Sequence, residues 1–430
     1  MPSPAASRVT RALRHRNYRL FFGGQTLSLI GTWITRVATS WLVYRLTGSE
    51  LLLGVVGFCG QIPTMLLAPF AGVLVDRWDR HRLLVVTQVL SMLQSLGLGI
   101  LTLDRLVTVR WVLILQVAQG LINAFDTPAR QAFVVEMVED RADLPNAIAL
   151  NSSMVNGSRI LGPSIGGALI AGFGEGWCFM VDAVSYLFVI ASLLMMRVRR
   201  GTAHHVKARV LEELRAGFEY VSASLPIRTA LTVLAIVSTM AMPYTVLMPA
   251  FVANVLHGGP NTLGMLMTAS GVGALAGGLY LAARHTVVGL GRVVTYSTLA
   301  FGAGLIGFAF ARSLWLALAL LPIVGAGFMV QMAATNTVLQ TLVEDRLRGR
   351  VMAFYTMAFF GTAPIGSLLA GVAADRIGSP WTIAICGIVC VLSGIWFGSR
   401  LPALRAVVHP IYIARGILPV PAVETGGKTL

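Results

Sequence analysis

The chain has 430 residues, of which 56% are hydrophobic and 12% charged, with a net charge of +15 and a mean hydropathy of +0.76. Soluble domains carry about a quarter charged residues, so a single water-soluble globule is excluded and a lipid bilayer is the expected solvent. The positive charge is nearly all arginine at segment ends, without interleaved aromatics, which points to membrane topology rather than to nucleic acid.

Apolar stretches long enough to cross a bilayer fall at residues 19–45, 51–75, 83–103, 109–132, 145–172 and 177–197, then at 227–254, 262–283, 293–311, 314–340, 351–374 and 381–399. The first follows a basic segment but is too long for a signal peptide and lacks a small-residue cleavage site. With the N-terminus inside, 26 of the 33 Lys and Arg residues fall on the inner side and 5 on the outer, with Arg36 and Arg159 inside spans. That asymmetry predicts both termini in the cytoplasm. The expected layout is a basic cytoplasmic segment (1–18), a six-helix half (19–197), a cytoplasmic linker (198–226), a second six-helix half (227–399) and a cytoplasmic tail (400–430).

In the linker, Val210, Leu211, Leu214, Phe218 and Val221 recur at helical spacing with charges opposite, which predicts an amphipathic helix along the inner membrane surface. An internal repeat supports two halves. Residues 120–141 align without gaps on residues 325–346, matching Gly120 with Gly325 and ending in VEDR both times.

Between the second and third spans, AGVLVDRWDRHRLLVV (71–86) wedges charges of both signs into an apolar region. The arginines follow from topology, but Asp76 ends a helix where a negative charge opposes the helix dipole. It needs a partner elsewhere, such as a helix N-terminus of the other half near Gly349–Val351. The pattern Gly72-x-x-x-Asp76-Arg77-x-x-Arg80-x-Arg82 resembles the inner-loop signature of the major facilitator superfamily. Its DRWDRHR form is similar to the exporter branch that includes enterobactin and macrolide efflux proteins, as are LTGSELLLGVV (46–56), DTPARQAF (126–133), LPNAIALNSS (144–153) and GPSIGG (162–167).

Residues 158–167 resemble the fifth-span motif of family exporters. In it Gly162, Gly166 and Gly167 admit a neighbouring helix, and Pro163 removes a backbone hydrogen bond. The resemblance implies an all-α membrane protein of twelve transmembrane helices in two pseudo-symmetric halves. It also implies a conformational switch at Gly72, Asp76, Arg77, Arg80 and Arg82. Two departures stand out. The family's fourth-span R-x-x-Q-G reads Gln116-Val117-Ala118-Gln119-Gly120, and Ala282 stands where the second half's inner loop would carry aspartate. A proton-coupling role tied to that missing arginine does not carry over.

Few ionisable residues lie inside spans, where each costs about 2.5–3.5 kcal/mol at mid-bilayer. Asp126 and Arg130 are one helical turn apart and read as a pair. Arg36 and Arg159 have no acid on their own turn and should face a cavity or an acid on another helix. Asp182 reads as an outer-surface cap or a proton site. If protons drive transport, Asp126 and Asp182 are the available carboxylates, and Asp182 is favoured because no cation lies within a turn of it.

The four cysteines (Cys59, Cys178, Cys386, Cys390) show no metal or disulfide pattern, and no phosphate-binding G-x-x-x-x-G-K-[ST] loop exists, so no cofactor is expected. The expectation is a monomeric secondary transporter, not an enzyme, in a bacterial inner membrane. It exports a small amphipathic organic compound by proton antiport and alternating access. A lysophospholipid or siderophore substrate is the alternative within transport. A membrane enzyme would need clustered His, Cys or paired carboxylates, and a receptor a sizeable outer domain.

Overall fold

The computed structural model describes residues 11–138, 140–197, 210–284, 286–415 and 417–418, and these are helical apart from short connections. The first half comprises α1 (Arg16–Thr47), α2 (Glu50–Arg77), α3 (Arg80–Leu103), α4 (Val109–Met137), α5 (Leu144–Phe173) and α6 (Glu175–Leu194). A short helix α7 (Val210–Ala223) follows. The second half comprises α8 (Leu225–Asn254), α9 (Pro260–Ala282), α10 (Leu290–Ala309), α11 (Leu314–Leu342), α12 (Arg348–Phe360) and α13 (Ala363–Ala414).

Local sequence sets the turns. Gly48 closes α1 in the left-handed region (φ 61°), and the Ser49 side chain accepts from Leu52 N–H to start α2. Asp79 caps α3 in the same way by accepting from Arg82 N–H. Pro364 supplies no N–H to the Phe360 carbonyl, and the chain breaks between α12 and α13 there. Gly378 (φ 80°, ψ 156°) adopts a conformation open to glycine, and α13 reverses direction at it.

Eight stretches among the described residues are long and apolar enough to cross a membrane by length and composition alone. One of them, residues 348–413, holds two crossings because of the reversal at Gly378. α1, α4 and α5 miss the criterion; they carry Arg36, Asp126 with Arg130, and Arg159. With them the chain makes twelve crossings.

The halves repeat one packing scheme. α1 packs on α6, α2 on α4, and α3 on α4 and α6; correspondingly α8 packs on α13, α9 on α11, and α10 on α11 and α13. The repeat glycines occupy matching seams. A Cβ at Gly120 of α4 would stand 2.7 Å from the Gly60 carbonyl of α2, and one at Gly325 of α11 would strike the Ser270 carbonyl of α9. Close backbone approach of the second and fourth helices is thus built into both halves.

One hydrophobic core is shared by the halves; its first-half members lie toward the arginine-poor end, which carries Gly48, Gly174 and Gly378, while in the second half it reaches the other end at Leu290, Val294 and Leu404. It runs from Ile34, Val37 and Leu42 to Val237, Leu247 and Phe251. At the arginine-rich end there are two separate cores. One, around Tyr18, Leu84 and Phe133, belongs to the first half; the other, around Ile227, Leu339 and Val351, belongs to the second. α7 packs with the second half: Gly217 lies against Phe354, and the Phe218 and Phe354 rings are 6.4 Å apart. The side chains of residues 210–214 lie outside the described residues.

Candidate functional site

The fifth-span glycines face two ways. Gly162 and Gly166 of α5 admit Ile30, Trp33 and Ile34 of α1, within the first half. Gly167 faces α9 of the second half, where a Cβ would come 2.7 Å from the Pro260 carbonyl and 3.1 Å from Gly264 Cα. Opposite Gly264 stands the Pro163 carbonyl. The symmetry-related seam between α2 and α13 is just as tight, with Gly54 against Ser367 and Gly371. Tyr44 Oη donates to Asn254 Oδ1 at 2.8 Å across the same end. Small residues therefore join the halves at the arginine-poor end, and the first half meets the shared core there too.

The charged loop at the other end is tied to its own half. Arg80 pairs with Glu136 of α4 at 2.5 Å, Arg82 lies 3.7 Å from its capping Asp79, and His81 bonds the Leu193 carbonyl of α6 at 2.8 Å. Arg77 is exposed. The surroundings of Gly72 and the side chain of Asp76 lie outside what is described. Around Gly349, the expected partner region, a Cβ would meet open space.

Between the two ends run the polar groups of the first half. Asp126 (3% exposed) accepts from Arg130 at 2.7 Å, Thr87 Oγ1 at 2.8 Å and Gln88 Nε2 at 2.7 Å. Asp182 (1% exposed) is buried where α1, α3 and α6 meet and is no surface cap. Its Oδ2 accepts from Thr35 Oγ1 at 2.9 Å and Ser95 Oγ at 2.6 Å, while its Oδ1, buried, has no partner among the described residues. Gly31 of α1 leaves the space that lets this carboxylate approach: a Cβ there would lie 2.6 Å from Oδ1.

One face of α3 links the two carboxylates. Thr87, Gln88, Ser91, Gln94 and Ser95 are all buried, and steps of three and four residues in each direction from Ser91 reach the other four. Gln119 of α4 donates to Ser91 at 3.2 Å and to Asn123 at 3.1 Å, in the middle of the stripe. The sequence reading missed these α3 residues. The spacing was visible, but single neutral polar residues in an apolar run carry little signal until packing shows them on one side.

Arg36 and Arg159 come together. The Arg36 guanidinium lies 4.5 Å from the Trp33 ring centroid and that of Arg159 5.9 Å from the same ring, close enough for the two charges to repel. Neither forms an ion pair among the described residues. The Arg36 side chain is exposed. Leu27, nine residues away and so half a turn out of phase on α1, is 47% exposed. Trp33 was not singled out from the sequence.

A twelve-crossing bundle with duplicated halves, glycine seams at one end and ionisable residues between is the architecture of a major facilitator transporter. The family comparison agrees: the chain matches the transmembrane secretion effector model over residues 9–417 and belongs to that family of the major facilitator superfamily. It is 27% identical to the staphyloferrin A transporter of Staphylococcus aureus over 392 residues, 90% of this chain and 97% of that one. It is 28% identical to the multidrug efflux pump Tap of Mycolicibacterium fortuitum, covering 87% of this chain and 93% of the relative. Its fold is similar to an inward-facing bacterial homologue of the iron transporter ferroportin, with a TM-score of 0.67, 17% identity, and 90% and 99% of the two chains covered.

Proposed function

We propose that the protein exports a small amphipathic organic compound across the bacterial inner membrane by proton antiport, with both termini cytoplasmic. The observation that supports this best is the unequal joining of the halves: the first half enters the shared core only toward its arginine-poor end, while toward the arginine-rich end each half has a core of its own. With the arginine-rich end in the cytoplasm, the halves part on the inner side and the glycine seams shut the outside. Rocking the halves would part Gly54 from Gly371 and Gly167 from Gly264, and bring the loop of Asp76, Arg77, Arg80 and Arg82 to the second half. The relatives include a named multidrug efflux pump, which favours export over uptake.

Asp182 is the favoured proton site. Its Oδ1 is buried without a donor or a cation, so a proton there would remove a buried charge, whereas Asp126 already has Arg130 beside it. The test is drug and dye efflux in a host lacking its own pumps, with and without a protonophore. Export should require the protein and collapse with the proton gradient. Accumulation unchanged by expression, over a panel of amphipathic compounds, would overturn the reading.

A further inference from the structure

We propose that the arginine pair at Trp33 binds the anionic group of the substrate: Arg36 and Arg159 hold a carboxylate, sulfonate or phosphate, and the indole carries the apolar body attached to it. This rests on the transport reading above and narrows it to amphipathic organic anions.

The argument begins with cost. A guanidinium within the membrane region is expensive unless it meets water or an anion, and two set against one ring repel each other besides. Proteins keep such a pair where something else supplies the negative charge. No carboxylate of the described residues does so here. Asp182 of α6 is linked to the residue next to Arg36, but its Oδ2 accepts from Thr35 of α1 and Ser95 of α3 and it pairs with neither arginine. Asp126 is paired with Arg130.

The geometry suits an anion with an aromatic or apolar body. A planar guanidinium offers several N–H donors in a fork that matches a carboxylate or phosphate. Trp33 gives an apolar face next to the charges, and Arg36 stacked on it is held ready rather than free to swing. Placement also fits. Arg36 projects from the side of α1 that neither α5 nor α6 covers, and Arg159 sits on α5 at the seam with α9, where the Arg159 carbonyl approaches Gly271 of the second half. An anion bridging the two arginines would therefore lie where the halves meet, at the place whose shape changes when they rock.

A recess of about 580 Å³ between α9, α10 and α11 lies elsewhere; it is lined mostly by apolar residues such as Val272, Ala276 and Ile323, with no charged side chain among them.

The experiment is a titration of the purified full-length protein in neutral detergent with three probes of one shape: 2-naphthoate, 2-naphthylmethylammonium and 2-naphthylmethanol. Naphthoate should bind at least about tenfold more tightly than the other two. Arg36→Gln and Arg159→Gln should each lower naphthoate affinity about tenfold or more, with the Lys variants between them and the wild type. The probe comparison on the unaltered protein needs no variant to fold, and the Lys variants keep the charge where Gln removes it. Equal or tighter binding of the ammonium or the alcohol overturns the proposal, as does naphthoate binding unchanged in both Gln variants or absent in the wild type. Export of cationic or neutral compounds alone would leave the transport reading standing and sink this one; anion binding without any efflux would do the reverse.

Discussion

The two halves share a packing plan but not a chemistry. Every charged residue that is buried among the described ones, Asp126, Asp143, Glu175 and Asp182, belongs to the first half. The second half buries only neutral polar groups, together with an aromatic cluster in which Phe301 packs with Tyr244 and Phe328. The repeat makes the contrast residue by residue. At an offset of 205, Asp126 corresponds to Gln331 and Arg130 to Thr335. Where the first half has an ion pair at 2.7 Å, the second has Gln331 Nε2 donating to Thr335 Oγ1 at 3.4 Å. The same helical geometry is held once by charge and once by a weak neutral hydrogen bond. Such asymmetry favours a division of labour, with substrate and proton handled by the first half and the second acting as the apolar body it moves against.

The strongest way to break that division is to remove the two arginines at Trp33. Arg36→Ala and Arg159→Ala should each abolish export or reduce it more than tenfold at equal expression, because each removes a charge that the bundle went to expense to keep. Normal efflux by both variants in cells would mean that the first half's charges are architectural.

A smaller effect, on coupling rather than on transport itself, is expected at Asp182. Asp182→Asn keeps the shape and the contacts to Thr35 and Ser95 but takes away the titratable oxygen. In vesicles, efflux should persist down a substrate gradient and lose its response to an imposed pH gradient. Coupling intact in Asp182→Asn would shift the proton site to Asp126 or rule out a single-carboxylate antiport.

How far the sequence could be read follows from the kind of signal involved. Span number, the repeat and the isolation of Arg36 and Arg159 were legible, because hydropathy, offset and charge are properties of the chain itself. Ends were less so. The eleventh span reads as continuous over 351–374, yet the helix breaks after Phe360 where Pro364 withholds a donor. The last span reads as ending at 399, yet α13 runs on to Ala414, since hydropathy marks where lipid ends and not where hydrogen bonding does. What the sequence could not show was facing. The α3 stripe, the shared ring of Trp33 and the depth of Asp182 all depend on which helix lies alongside.

The finest test exchanges the halves' solutions. Asp126→Gln alone leaves Arg130 without its partner and deprives Thr87 and Gln88 of a charged acceptor. Arg130 is 25% exposed along its side chain, so water offsets part of the loss, and a destabilisation of about 1–3 kcal/mol is expected. Adding Arg130→Thr installs the pair that the second half already uses at Gln331 and Thr335. If the ion pair only holds α4 in shape, the double variant should recover most of that stability, with a coupling energy of about 0.5–3 kcal/mol in a thermal-melting cycle. It should also export nearly as well as the wild type. Recovery of stability without recovery of export would give Asp126 a part in transport, and the neutral pair in the second half would then mark a function it has lost. No recovery of either would mean that the two halves, alike in backbone, are not interchangeable even at a matched turn.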